Sequence, residues 1–333
     1  MPARRARLRL RVAGRTLVLR SERPLPALDP PPGYAPFLGG RGDDIVLDVV
    51  RGPAPALRAD RHLFASGGTW DVYGDGRGGL LYSFRTRGPR VAPERILHVD
   101  RAVRRGTLSI TDAASAGSPG YALAYPLDDL LFQHHLAHRG EIVLHGAGLV
   151  VDGRAVVLAG TSGAGKTTSV RLWRRYHRAA RVLSDDRVVL RRRGGRWWVY
   201  GTPWHGEGRF QSPEGAPLHA LVLLRQSAES AVTRVGAAAA CLRLCGLTFP
   251  PRWDRRAVER VLAAVADVAG AVPVWELRFR PDRSAVAAVR QEVTGAVRRR
   301  AAGPSSGRGP RSGSAATRPR GGARPRRPGS PDR

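Results

Sequence analysis

Apolar and basic side chains alternate over residues 6–13, which puts Leu8, Leu10 and Val12 on one face of an extended segment. The apolar run 17–19 follows after Gly14, so the pattern predicts a strand or hairpin. Residues 23–40 are rich in Pro and Gly and predict loop. Short β-like runs then recur at 45–50, 70–73, 80–84, 96–99 and 108–111. Turn residues such as Asp75-Gly76 separate them. Residues 1–124 therefore predict a β-rich region.

The period changes near Tyr125. Leu127, Leu130, Leu131 and Leu136 recur at helical spacing, with Asp128 and Asp129 in the first turn. Residues 142–144 predict a short strand ending at His145-Gly146. A second strand pair, 149–151 and 155–158, flanks Asp152-Gly153, a hairpin signal. A helix is predicted from about Lys166 to His177, and strands at 181–184, 188–190, 197–200, 221–224 and 274–279. Val258, Val261, Leu262, Val265 and Val268 form one helical stripe, and 285–297 a last helix. Residues 125–297 thus predict a mixed α/β domain. Residues 298–333 hold almost no large apolar side chain, which predicts a disordered Arg/Gly/Pro-rich tail that cannot offset the entropy of ordering.

Composition alters this picture at two points. The chain has 333 residues with 42% hydrophobic content, enough for a sizeable core without staples. Cys241 and Cys245 are the two cysteines, and their spacing suits one face of a helix as core thiols rather than a zinc site. No apolar run is long enough to span a bilayer, so the expectation is a cytoplasmic protein without a membrane partner. The net charge of +29 suggests nucleic acid at first. However, Lys166 is the single lysine among 56 Lys and Arg residues, and asparagine is absent. That is the imprint of a biased codon pool, so the charge carries little functional weight and nucleic acid is not the expected partner. Self-association stays open. The same bias singles out Lys166 as a position that requires a compact ammonium.

The sequence Gly160-Thr161-Ser162-Gly163-Ala164-Gly165-Lys166-Thr167 matches the phosphate-loop pattern in full, between a predicted strand and a helix, with Thr168 next in line. Its backbone amides and the helix N-terminus suit a polyphosphate. Lys166 would neutralise the β- and γ-phosphates, and Thr167 would ligate Mg²⁺. Asp185 and Asp186 follow nineteen residues after Lys166, a distance that holds one helix, a turn and one strand. They would stand at a strand end near the metal; a turn or capping acid is the competing reading. His145 beside a carboxylate makes a proton-handling pair, against a hydrogen-bonded core histidine. The loop 201–208 offers Glu207 as a further metal or water-binding acid and His205 as a phosphate or substrate contact, against an ordinary loop. Trp204 suits burial better than base stacking. His134, His135 and His138 lie on the predicted helix, where metal ligation is the lesser reading.

Together, Leu144-His145-Gly146, the phosphate loop and the run Arg181-Val182-Leu183-Ser184-Asp185-Asp186-Arg187-Val188 resemble the C-terminal domain of the HPr kinase/phosphorylase family. The resemblance covers roughly residues 125–297. It implies a phosphoenolpyruvate carboxykinase-like phosphate-loop fold and transfer of the γ-phosphate of ATP, with Mg²⁺, to a serine-type hydroxyl. Carried over, Asp185 is the general base paired with His145, and Thr167, Asp186 and Glu207 are on the metal side. The acceptor would be a protein, a peptide or a small hydroxyl compound. The alternative is a nucleotide-binding regulatory or assembly module without phosphotransfer.

Overall fold

The computed structural model describes residues 6–22, 28–86, 88, 91–114 and 121–301, with side chains as far as residue 292. The predicted tail lies outside the described residues from 302 onward. The chain forms two eight-stranded sheets and five α-helices among the described residues.

The amino-terminal alternation forms the hairpin of β1 (Ala6–Val12) and β2 (Arg15–Ser21). Ala13 and Gly14 both take positive φ, 51° and 75°, which matches the turn's twist to that of the strands. The sheet continues with β3 (Ile45–Arg51), β4 (His62–Ala65), β5 (Trp70–Gly74), β6 (Leu80–Phe84), β7 (Arg95–Val99) and β8 (Arg105–Ile110). Their order is β1-β2-β3-β8-β7-β6-β5-β4, with β3 parallel to both β2 and β8. Every predicted strand of this half has a counterpart. β4 was not anticipated: it is an edge strand with mostly exposed side chains, so it carries no apolar alternation to read.

The second unit begins with α1 (Leu127–Ala137), all of whose residues are buried. Its sheet comprises β9 (Ile142–Val151), β10 (Arg154–Ala159), β11 (Arg181–Ser184), β12 (Arg187–Arg193), β13 (Arg196–Gly201), β14 (Gly215–Gln226), β15 (Ala231–Arg234) and β16 (Val274–Phe279). The order is β10-β9-β12-β13-β14-β16-β15, with β11 also on β9 and β10 also parallel to β14. One face is covered by α3 (Ala237–Cys245) and α4 (Arg255–Ala271), through Leu244, Val261, Val265 and Val268. The other is covered by α2 (Lys166–Tyr176) and α5 (Arg283–Ala301), through Val170, Trp173, Val286 and Val289.

Three expectations change. The two strands predicted at 142–144 and 149–151 are one strand, β9. Its first four residues pair with β12 and the rest with β10, and Gly146 and Gly148 lie where the partner changes. A Cβ at Gly146 would come within 2.9 Å of the Val157 side chain, so the glycines mark close approach rather than a strand end. The α4 stripe is narrower than predicted, because Leu262 is exposed. The last helix runs to Ala301, past the predicted start of the tail. Cys241 and Cys245 are free and half-buried on one face of α3, against the core, and burial with the neighbouring thiol raises the Cys245 pKa. Among the described residues no helix is long and apolar enough to cross a membrane.

Candidate phosphate-binding and proton-transfer site

The buried strand β10 delivers the chain to the glycine loop, and α2 starts directly behind it. Gly163 and Gly165 have φ of +78° and +101°, the left-handed region. A Cβ at Gly165 would also stand 2.6 Å from the Phe279 ring, so this position requires glycine on two counts. Lys166 is buried, and its ammonium donates to the carbonyls of Gly160 at 3.1 Å and Thr161 at 3.0 Å. Among the described residues it forms no ion pair. Burial lowers its pKa, against the raising pull of Asp186 and Asp185.

The loop, β9, the turn between β11 and β12, the segment after β13 and the end of β14 line a cavity of about 280 Å³. His145, Lys166, Thr167, Asp185, Asp186 and Glu207 all line it, and so do Ser162, Gly163, Gly165 and Thr168. Of the remaining predicted loop residues, Gly160 and Thr161 hold the Lys166 ammonium, and Ala164 packs on the core.

The two aspartates have different surroundings. Asp185 is almost fully buried. Its Oδ1 accepts the Gly206 amide at 2.9 Å, and its Oδ2 accepts the Gly208 amide at 2.8 Å and the Thr167 hydroxyl at 3.4 Å. It therefore locks the loop 206–208 over the phosphate-loop threonine. The glycines are needed there: a Cβ at Gly208 would meet Asp185 Oδ2 at 2.5 Å. Asp186 is part-exposed toward the cavity, and its Oδ1 lies 3.1 Å from Nε2 of His145. Burial opposes its charge, but the His145 hydrogen bond and the Arg187 guanidinium override this and hold its pKa below the usual carboxylate range. The expected pairing of His145 with Asp185 is thus corrected: the partner is Asp186. The antiparallel register sets His145 of β9 opposite Arg187 of β12 and so brings the adjacent Asp186 to the imidazole.

Three further residues belong to the site. Arg187 forms an ion pair with Asp129 of α1, lies 3.7 Å from Asp186 Oδ2 and stacks over Phe249 at 4.8 Å. Phe249 also packs on His145, ring centroids 5.8 Å apart. Gln226, at the end of β14, lines the cavity and donates to the Gly163 carbonyl at 2.8 Å. Arg187 adjoins the aspartates in sequence and could have been suspected. Phe249 and Gln226 come from distant segments with no local signal. His205 is exposed and turned toward the Gly206 carbonyl, outside the cavity lining. Trp204 is buried and donates to Asp128 at 2.8 Å, so base stacking is excluded.

The donor set fits the groups that the sequence pattern implies. Thr167, Asp185, Asp186 and Glu207 are hard oxygen ligands of the kind Mg²⁺ takes. The glycine loop, the α2 N-terminus and the ammonium held by loop carbonyls suit phosphate oxygens.

Among known proteins, residues 129–281, just under half of the chain, match a family model described as SynChlorMet cassette protein ScmC. That span holds every site residue named above. Among solved structures the chain is similar to the Hpr(Ser) kinase/phosphatase from Coxiella burnetii, with 14% identity and a TM-score of 0.27. The match covers 48% of this chain and 96% of that one. No curated protein matches the sequence.

Proposed function

We propose that this protein is an ATP- and Mg²⁺-dependent phosphotransferase acting on a hydroxyl, with a phosphate-loop domain related to the phosphoenolpyruvate carboxykinase-like fold. The observation that carries the reading is one cavity in which the His145–Asp186 pair faces the phosphate loop. Simple nucleotide binding needs no such pair, whereas transfer to a hydroxyl needs an acceptor for its proton. The motif resemblance to HPr kinase/phosphorylase points the same way.

In this reading Lys166 and the loop amides hold the phosphates and stabilise charge on them. Bound Mg²⁺ would supply further charge neutralisation between Thr167 and the carboxylates. Asp186 takes the proton of the acceptor hydroxyl, and His145 orients and shares that proton. Asp185 holds Thr167 and the loop 206–208 in place. The acceptor is a serine-type hydroxyl on a protein, peptide or small molecule.

Incubation of the purified chain with γ-labelled ATP, Mg²⁺ and a lysate of its source tests this. Label should move to an acceptor, and Lys166→Ala should abolish the transfer. Nucleotide binding without transfer or hydrolysis would instead identify a regulatory module.

A further inference from the structure

Away from the phosphate loop, α1 and the start of α4 bring two imidazoles and a carboxylate to one point. His134 and His138 are one helical turn apart, and their rings stack with centroids 5.1 Å apart. Both Nε2 atoms face Oδ2 of Asp254, at 3.3 and 3.1 Å. The three atoms all lie within 4.8 Å of one another. Asp254 divides its oxygens between two tasks. Oδ1 caps α4 by accepting the amides of Arg256 at 3.1 Å and Ala257 at 3.3 Å, which leaves Oδ2 to the histidines.

We infer that His134, His138 and Asp254 form a binding site for a divalent transition-metal ion of the zinc type. With metal–nitrogen and metal–oxygen bonds of about 2.0–2.2 Å, tetrahedral ligand atoms stand roughly 3.3–3.6 Å apart. The two observed separations need to open by only a few tenths of an ångström. Two imidazoles with one carboxylate suit Zn²⁺ or Co²⁺, whereas Mg²⁺ and Ca²⁺ take oxygen donors. The outer contacts are those of a supported site. The second nitrogen of His134 is held by the Tyr82 hydroxyl, which also accepts from Trp253 Nε1 at 3.2 Å. The second oxygen of Asp254 is held by two backbone amides. Such partners fix ligand orientation.

His135 lies between the two ligands in sequence but turns away, its Nδ1 on the Val103 carbonyl at 2.8 Å. Arg101 marks the open side. Its Nε lies 3.5 Å from Asp254 Oδ2 on a half-exposed side chain, so it swings out to solvent when a cation enters. Water then completes the fourth position. The ligands come from α1 and the α4 cap, and the outer support from β6. The ion would therefore tie the first sheet and α4 to the buried helix, and the inference stands independently of phosphotransfer.

Zn²⁺ titration of the chelator-treated full chain tests the site, with Mg²⁺ in excess to keep the phosphate-loop carboxylates engaged. One equivalent should bind and raise the melting temperature, and Co²⁺ should give the visible bands of a tetrahedral ion. Asp254→Asn retains a capping side chain, and His138 is near the surface, so both variants should fold, as circular dichroism will verify. Each should weaken the metal by at least about tenfold, the low end of what losing even an outer-shell partner costs. Arg101→Ala should bind as tightly as the parent or more so. Absence of saturable binding, or unchanged affinity in both ligand variants, would leave only a hydrogen-bonded cluster and overturn the inference.

Discussion

Asp185 and Asp186 adjoin in sequence and line one cavity, yet the first is almost fully buried and the second part-exposed. Asp185 has both oxygens engaged by backbone amides and a hydroxyl, which commits it to holding the loop 206–208 and Thr167. Asp186 is part-exposed, with Oδ1 beside the His145 imidazole and Oδ2 3.7 Å from the Arg187 guanidinium. Asp186→Asn should therefore lower phosphotransfer by about 10²–10⁴-fold, the usual weight of a general base. Nucleotide affinity measured without Mg²⁺ and melting temperature should stay close to the parent values. Asp185→Asn should act differently: one amide loses its acceptor, at a cost of about 1–3 kcal/mol, and the loop 206–208 loosens over Thr167. Its melting temperature and Mg²⁺-nucleotide affinity should both fall. Transfer rates, calorimetric nucleotide titrations and thermal melts on the two variants decide the matter; near-normal transfer in Asp186→Asn would remove it as the base. The sequence made the phosphate loop, the paired aspartates and His145 legible, because the loop pattern and the nineteen-residue spacing are local, whereas Phe249 and Gln226 left no local signal. It did not make legible which aspartate meets His145. That depends on the β9–β12 register and on side chains alternating along a strand, neither of which is a property of the local sequence.

At the scale of elements, α1 shows how a correctly placed helix can have unexpected surroundings. Its leucine spacing predicts a helix with Asp128 and Asp129 in the first turn. The helix is enclosed on all sides, and polar groups along it are paired outward to different elements. Asp128 accepts from Tyr34 and Trp204, Asp129 pairs with Arg187, and His134 meets Tyr82 and Asp254. Burial pushes the Asp129 carboxyl up to about 7, with Asp128 adding to the rise and Arg187 opposing it. Unfolded, this group loses its proton near the ordinary aspartate value of about 4. Between about pH 4 and pH 7 the folded state then binds more protons than the unfolded one, so this group makes stability fall as pH rises through that window. Asp129→Asn removes the titration. The melting temperature of the parent relative to this variant should drop progressively from pH 4 to pH 7. A difference independent of pH across that range would show that Asp129 is ionised throughout. The break predicted in β9 has a similar origin: the glycines were legible, but not the change of strand partner that needs them.

At the scale of the molecule, the boundary near residue 125 separates two sequence patterns but not two cores. A single apolar cluster contains Leu17, Leu47, Tyr82 and Leu108 of the first sheet, Leu127, Phe132 and Leu136 of α1, and Val143, Val189, Tyr200 and Trp204 of the second unit. Polar contacts reinforce the same seam. Arg15 of β2 pairs with the buried Glu141, which also takes Arg191 of β12 at 3.1 Å. Arg191 donates in addition to the Ala13 carbonyl at 2.7 Å, and Gln211 to the Gly33 carbonyl at 2.6 Å. Removing residues 1–124 would uncover α1 and the part of the second unit around Val143, Val189, Tyr200 and Trp204, a contiguous apolar surface larger than a soluble domain usually tolerates. It would also take Arg15 from Glu141 and Tyr34 from Asp128, leaving them Arg191 and Trp204. The full chain should accordingly unfold in one cooperative transition. A fragment of residues 125–301 should bind a hydrophobic dye, lack a sharp melting transition and fail to bind nucleotide, although it contains every phosphate-loop residue. Co-expression with residues 1–124 as a separate chain should restore folding if the shared core is what is missing. A fragment that melts cooperatively and binds nucleotide on its own would show instead that the carboxy-terminal sheet with α3, α4, α2 and α5 is self-sufficient, and that the first sheet only rests on it.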